Sequence, residues 1–248
     1  MTGQKPREVN VLGYKVAHCT LDEAAHWSVS QCLNSASPKL LVTLNPEIVV
    51  QAEAHPELQR ALQRADLSVA DGVGITWAAR RCGEALPERV PGVELMERVL
   101  ELGGERLRVY FLGARPGVAQ RAAEVARERY GTLTAGVQHG YFKRPDEVES
   151  VLERVAKSQA HLLLAGLGEG QELFLDTHRA DLKVSLMVGV GGALDVLSGE
   201  VKRTPPWTRR WRLEWAYRVG LDWKRWHRLP RLARFVRLVL ERSNIQPL

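Results

Sequence analysis

The stretch "SVADGVGITWAAR", residues 68–80, sets a carboxylate and two glycines directly after a short apolar run and directly before a segment with helical spacing. In an open α/β sheet, ligands lie in the crevice beyond the carboxyl ends of the strands, and Asp71 occupies such an end. Two readings of it stand side by side. Asp-Gly after a strand is commonly only a turn and helix cap, whereas a carboxylate facing a ligand crevice can do acid–base chemistry.

Working outward, short apolar runs alternate with helical patterns. "LLVTL" (40–44), "LSVA" (67–70), "RVYFLG" (108–113), "HLLLAG" (161–166) and "VSLMVGV" (184–190) read as strands buried on both faces. Between them, 46–65, 92–102, 116–130, 145–158 and 171–179 have helical spacing, often with proline near the first turn. "VNVLGYKVA" (9–17) reads as a small hairpin, and "TLDE" (20–23) as a capping box opening a helix. The βαβα order predicts a three-layer Rossmann-like, mostly parallel sheet. There is no internal repeat, low-complexity tract or long linker before residue 200.

Composition sets the limits. A chain of 248 residues, 45% hydrophobic, suffices for one sizeable core and not for two large ones. Cys19, Cys32 and Cys82 are odd in number and lack C-x-x-C spacing, which suggests neither a disulfide framework nor a zinc cluster and fits a reducing cytoplasm. The polar start "MTGQKPREVN" has no signal-peptide core, and no run of about 18 apolar residues occurs. A cytoplasmic chain that does not span a membrane is expected.

The net charge of +6 is unevenly spread. Residues 202–242 hold thirteen Lys/Arg against Glu214, Asp222 and Glu241, so that segment is +10 and the rest is −4. Five of the seven tryptophans also lie there: Trp207, Trp211, Trp215, Trp223 and Trp226. Basic and aromatic residues together suit a phosphate-rich or interfacial partner. We therefore divide the chain into a Rossmann-like body, 1–200, and a basic helical appendage, 201–248. In the latter, Leu232, Phe235, Val236 and Val239 recur at helical spacing opposite Arg231, Arg234 and Arg237, a pattern for a lipid or protein surface.

The strand ends carry the candidate chemistry: Asp71; "TLNPE" (43–47); "LGARPG" (112–117); "GLGEGQE" (166–172); and "GVGGALD" (189–195). Glycine-bearing strand ends before helix N-termini can hold phosphate. In order along the chain, "TLNPE", "DGVGI" (71–75), "RVPGVEL" (89–95), "FLGARPGVA" (111–119), "GYF" (140–142), "GLGEGQE", "GVGGALDVLSGEVKRTPPW" (189–207) and "LEWAYR" (213–218) resemble the WecG/TagA/CpsF glycosyltransferases, glycosyltransferase family 26. The resemblance runs from about Val9 to Arg228. It implies an inverting, metal-independent transfer of N-acetylmannosamine or a related hexose from a UDP-sugar to a polyprenyl-diphosphate-linked N-acetylglucosamine, in the making of teichoic acid or exopolysaccharide. No cofactor is expected. It further implies peripheral association with the inner membrane face and is compatible with a homo-oligomer.

The resemblance, together with position, names the site. Asp71 is the candidate base and Thr43 a second catalytic candidate; Asn45, Gly72, Gly74, Arg89, Gly113, Gln171, Gly191, Arg218, Arg225 and Arg228 are candidates for binding substrate. The chain has no Asp-x-Asp, His-x-His or His-Glu-x-x-His, so no metal site is expected and cationic side chains should neutralise the departing diphosphate. Arg218, Arg225 and Arg228 would share one face of a continuous helix, either as a diphosphate clamp or as a solvated or membrane-facing surface. "GLGEGQE" departs from the family's usual G-x-G-x-P-x-Q-E in lacking the proline and one residue. Glu94 stands where aspartate is usual, and Asp222-Trp223 where Glu-Pro is usual.

Blander roles fit other residues. His139 and His161 read as satisfied structural groups, Trp27 and Trp77 as packing, Tyr141 as core packing before substrate contact, and the cysteines as small buried side chains. Two other function classes stay open from the residues alone. A nucleotide-dependent oxidoreductase would use a similar crevice, although Leu194 breaks the G-x-G-x-x-G fingerprint. A nucleic-acid binder would use a basic, tryptophan-bearing tail, although the apolar stripe of the tail argues against it and no nucleic-acid partner is expected.

Overall fold

The structure, a computed structural model, describes residues 3–201 and 229–243. The elements run β1 (Glu8–Val11), β2 (Tyr14–Ala17), α1 (Leu21–Asn34), β3 (Lys39–Leu44), α2 (Pro46–Ala54), α3 (Pro56–Gln63), β4 (Leu67–Ala70), α4 (Val73–Arg81), α5 (Gly92–Gly103), β5 (Arg108–Gly113), α6 (Val118–Tyr130), β6 (Leu133–Gln138), α7 (Pro145–Lys157), β7 (Leu162–Gly166), α8 (Gln171–Thr177), α9 (Arg179–Leu182), β8 (Leu186–Gly189), α10 (Ala193–Leu197) and α11 (Leu229–Ser243).

β3 to β8 form one parallel sheet in the order β4-β3-β8-β7-β5-β6. Alternate side chains go to opposite faces. Leu40, Val42 and Leu44 of β3 join one core with Tyr110 and Leu112 of β5, beneath α2, α3, α4, α7 and α8. Leu41 joins a second core with Val109 and Phe111, beneath α1, α5, α6 and α10. Both faces are therefore dry, which is why the strands read as unbroken apolar runs; each fully buried leucine contributes about 1.5–3 kcal/mol. The expected three-layer α/β fold is the one observed.

β1 and β2 pair antiparallel around Leu12-Gly13. Both turn residues have positive φ, 57° and 90°, as a two-residue hairpin loop requires. The capping box at Thr20 and Glu23 forms as expected. The expected helix 46–65 is instead two helices. His55 leaves the helical region, with φ −132° and ψ 90°, because Pro56 follows it and starts α3 at its first position. The helix expected over 171–179 likewise ends at Thr177, and α9 follows. β6 has no counterpart among the expected strands: it is a sheet edge, with Leu133 and Thr134 exposed and no apolar run.

Of the two surfaces that the apolar stripe of α11 fits, the protein one takes half of it. Phe235 and Val239 are wholly buried in the first core, on α2 and α4. Arg231 binds Glu169 at 2.6 Å, and Arg242 binds Glu53 and the Leu12 carbonyl. Arg231 thus ties the helix to the body instead of facing outward beside Arg234 and Arg237. Of the four stripe residues, Val236 stays exposed and Leu232 half-exposed.

Candidate active site

Of the residues singled out in the sequence, Thr43, Asn45, Asp71, Gln171 and Gly191 lie at or beside the carboxyl ends of β4, β3 and β8. Thr43, buried near the end of β3, donates its hydroxyl to the Gly189 carbonyl of β8 at 3.3 Å. The first residue of α5 lies against the same threonine, since a Cβ on Gly92 would sit 3.2 Å from Thr43 Cγ2. Glycine there lets α5 begin directly on the strand end. Asn45 is the N-cap of α2: its Oδ1 accepts from the N–H groups of Glu47 and Ile48 at 3.0 and 3.1 Å. Among the described residues no hydrogen bond from its Nδ2 is seen.

Asp71 is the first residue beyond β4, half-buried, and its N–H donates to the Leu44 carbonyl at 2.8 Å. It is not the helix cap, because the N-cap of α4 is Gly72. Gly72 has φ 91° and ψ 161°, a combination open essentially to glycine. On the far side of β4, Val90 donates to the Ala70 carbonyl at 2.8 Å, bringing the backbone of Arg89 alongside the same strand end. Gly74 has a packing role: a Cβ there would meet Pro46 at 2.4 Å and Phe235 at 3.3 Å.

On the other side of β3, Gln171 opens α8 and is buried. Its Oε1 accepts the Gly191 N–H at 3.2 Å, and its Nε2 donates to Glu172 Oε1 at 2.7 Å. Burial pushes the Glu172 carboxyl above the usual carboxylate range, against the opposing pull of the Gln171 amide. A Cβ on Gly189 would lie 2.8 Å from both Gln171 Nε2 and Glu172 Oε1, so this pair rests directly on the end of β8. Thr43, Gly189, Gln171, Glu172 and Gly191 are thus one connected group, with Asp71 and Arg89 across β3 from it.

The remaining strand ends are lined by backbone. Gly113 ends β5 with its Cα pressed against Gly166, where a Cβ would approach the Gly166 carbonyl oxygen to 2.4 Å. The loop 167–170, which departs from the family pattern, turns at Gly168 and Gly170, both with positive φ. Its Glu169 is held by Gln51 and Arg231. Arg218, Arg225 and Arg228 lie outside the described residues.

Two sequence readings change. Tyr141 is not core packing: it is 62% exposed, projecting from a loop whose Gly140 N–H is fixed to Ala114 beyond β5. Cys82 is half-buried, while Cys19 and Cys32 are buried as expected. His139 accepts the Tyr141 N–H and His161 the Arg108 N–H, both structural. Trp27 is buried and Trp77 packs on the first core. Glu172 was not singled out by sequence reasoning; its signal was the Gln-Glu pair that closes "GLGEGQE". Among the described residues, no group of three or more His, Cys, Asp or Glu could hold a metal ion.

The family model described as the WecG/TagA/CpsF glycosyl transferase family matches residues 9–247. The chain belongs to the WecG/TagA/CpsF glycosyltransferase family. Its membership makes it a glycosyltransferase and does not favour the oxidoreductase or nucleic-acid readings. It is similar to proteins of Staphylococcus aureus strains COL and MRSA252, each named N-acetylglucosaminyldiphosphoundecaprenol N-acetyl-beta-D-mannosaminyltransferase. Each is 32% identical over 232 residues, covering 92% of this chain and 91% of the relative. In this WecG/TagA/CpsF member Thr43 lies on β3, Asp71 directly follows β4, and Gln171 opens α8 beside the end of β8.

Proposed function

We propose that this glycosyltransferase moves N-acetylmannosamine, or a related hexose, from a UDP-sugar to a polyprenyl-diphosphate-linked N-acetylglucosamine, with inversion and without a metal ion, in the making of a bacterial surface polymer. The observation that carries the reading is the near full-length similarity to relatives whose printed name states that sugar and that acceptor.

The strand-end geometry supports a mechanism for it. The acceptor hydroxyl oxygen attacks the anomeric carbon of the donor as Asp71 takes its proton, and the bond from that carbon to the diphosphate breaks, UDP leaving with the electron pair. Thr43, Asn45 and Gln171 orient the donor, and the main-chain N–H groups of the glycine-rich strand ends meet its phosphates. Arg89, with Arg218, Arg225 and Arg228 of the appendage, balances the charge that develops on the leaving diphosphate.

The acceptor's lipid requires the enzyme to work at a membrane surface. Among the described residues no helix is long and apolar enough to cross a membrane, so contact would be peripheral, through the basic, tryptophan-bearing segment from residue 201. On α11 the exposed residues are Pro230, Ala233, Arg234, Val236, Arg237, Leu240 and Glu241, with Arg237 paired to Glu241 at 2.7 Å, so the apolar Val236 and Leu240 and the cation of Arg234 are what it offers a lipid surface.

The test is a donor screen against a polyprenyl-diphosphate-GlcNAc analogue, following UDP release with and without EDTA. Release with UDP-N-acetylmannosamine, undiminished by chelator, is expected. Turnover only with another nucleotide sugar would overturn the donor assignment, and activity lost with EDTA and restored by magnesium or manganese would overturn metal independence.

A further inference from the structure

Gln171 and Glu172 are neighbours at the start of α8, and their side chains are coupled. The two ends of a glutamine amide are nearly the same size but opposite in hydrogen-bonding sense, so what it offers a ligand depends on which end points where. Here both ends are specified. A backbone N–H, that of Gly191, meets Oε1, and a carboxyl oxygen of Glu172 meets Nε2. Glu172 is only 5% exposed. A buried carboxyl is costly where an apolar side chain would fill the same space, so its retention asks for a reason. The pair also presses on Gly189, whose carbonyl receives the Thr43 hydroxyl.

We infer that Glu172 is a positioning residue, which holds the Gln171 amide in one orientation so that its second Nε2 hydrogen is presented to an acceptor oxygen of the donor, a phosphate or sugar oxygen. Glu172 touches no substrate. It removes the alternative in which the Gln171 carbonyl would face that oxygen and repel it. The inference rests on the reading of Gln171 as a donor contact.

The experiment is steady-state kinetics with UDP-sugar varied, on Q171A, E172L, E172Q and the double variant Q171A/E172L, with a thermal melt of each. Q171A and E172L should each lower kcat/KM roughly ten- to hundredfold, the range for supporting hydrogen bonds and small misplacements. The double variant should be no worse than Q171A within about twofold, because Glu172 acts only through Gln171. E172Q keeps an acceptor oxygen at the same place and should stay within about threefold of wild type. A merely structural role would make the two losses multiply, and that result, or an E172Q as impaired as E172L, overturns the inference. Should E172L not fold, E172M repeats the comparison without an acceptor. Wild-type kinetics in Q171A would remove Gln171 from the site, and this inference with it, a result distinct from multiplying losses.

Discussion

Arg231 Nη1 lies 2.6 Å from Glu169 Oε1, which joins α11, the described end of the basic appendage, to the loop that leads into Gln171. The same helix inserts Phe235 beside Gly74, which in turn packs on Pro46, residues that follow closely on Asp71 and Asn45. The described end of a segment that looks like an appendage in sequence is therefore packed onto the body beside the ends of β3 and β4.

If that docking rests on Phe235, F235A should lose about 3–5 kcal/mol of packing at the helix. Hydrogen exchange over residues 229–243 should accelerate, and turnover should fall with it. Unchanged exchange in that segment would mean that α11 is held by its ion pairs instead. Exposed pairs such as Arg231–Glu169 contribute only about 0–1 kcal/mol, so R231A should leave exchange nearly as in wild type.

Membrane contact through α11 should follow the residues that docking leaves outside. Replacing Val236 and Leu240 together by Asp should weaken binding to anionic vesicles by roughly an order of magnitude or more, since two apolar side chains are exchanged for charges of the wrong sign. Reaction with a short, soluble acceptor should persist. Vesicle binding equal to wild type would shift the contact to the tryptophan-bearing segment alone.

Gly72 offers a test of how Asp71 is aimed. A Cβ there meets no atom within 4 Å, so Gly72→Ala introduces backbone strain without a clash. With φ 91° and ψ 161° the strain should cost about 1–3 kcal/mol, or be relieved by a shift of the Asp71–Gly72 peptide. Turnover should fall more than the melting temperature suggests. A variant with full activity would show that the aim of Asp71 tolerates that shift.

Much of this arrangement was legible in the sequence, and the parts that were not share a cause. Strands β3, β4, β5, β7 and β8 announce themselves because both their faces are buried. β6 does not, because none of its residues is buried, unlike those of the other edge strand β4, and Thr134, Ala135 and Gly136 carry no apolar run. The strand-end motifs at Thr43, Asp71 and Gln171 could be placed from the βα order alone. The approach of Gly92 to Thr43 and the Gln171–Glu172 lock depend on tertiary packing between α5, α8 and the sheet, which spacing along the chain does not encode. The amphipathic stripe of α11 was readable as a face needing a cover, but only the fold identifies α2 and α4 as that cover.

The most direct measurement is turnover of D71N beside its affinity for UDP. Asp71 stands at the end of β4 between the Leu44 backbone and the Arg89 segment, with Gly72 and not Asp71 as the N-cap of α4, and the proposed mechanism gives its carboxylate the acceptor's proton. Asparagine has the same shape and cannot take the acceptor's proton. UDP release with a polyprenyl-diphosphate-GlcNAc analogue should fall by roughly 10²–10⁴, the usual contribution of a positioned base, while calorimetric UDP affinity and the melting temperature stay near wild type. Near wild-type turnover in D71N, with UDP still bound, would contradict the role of Asp71 as the base of this transfer.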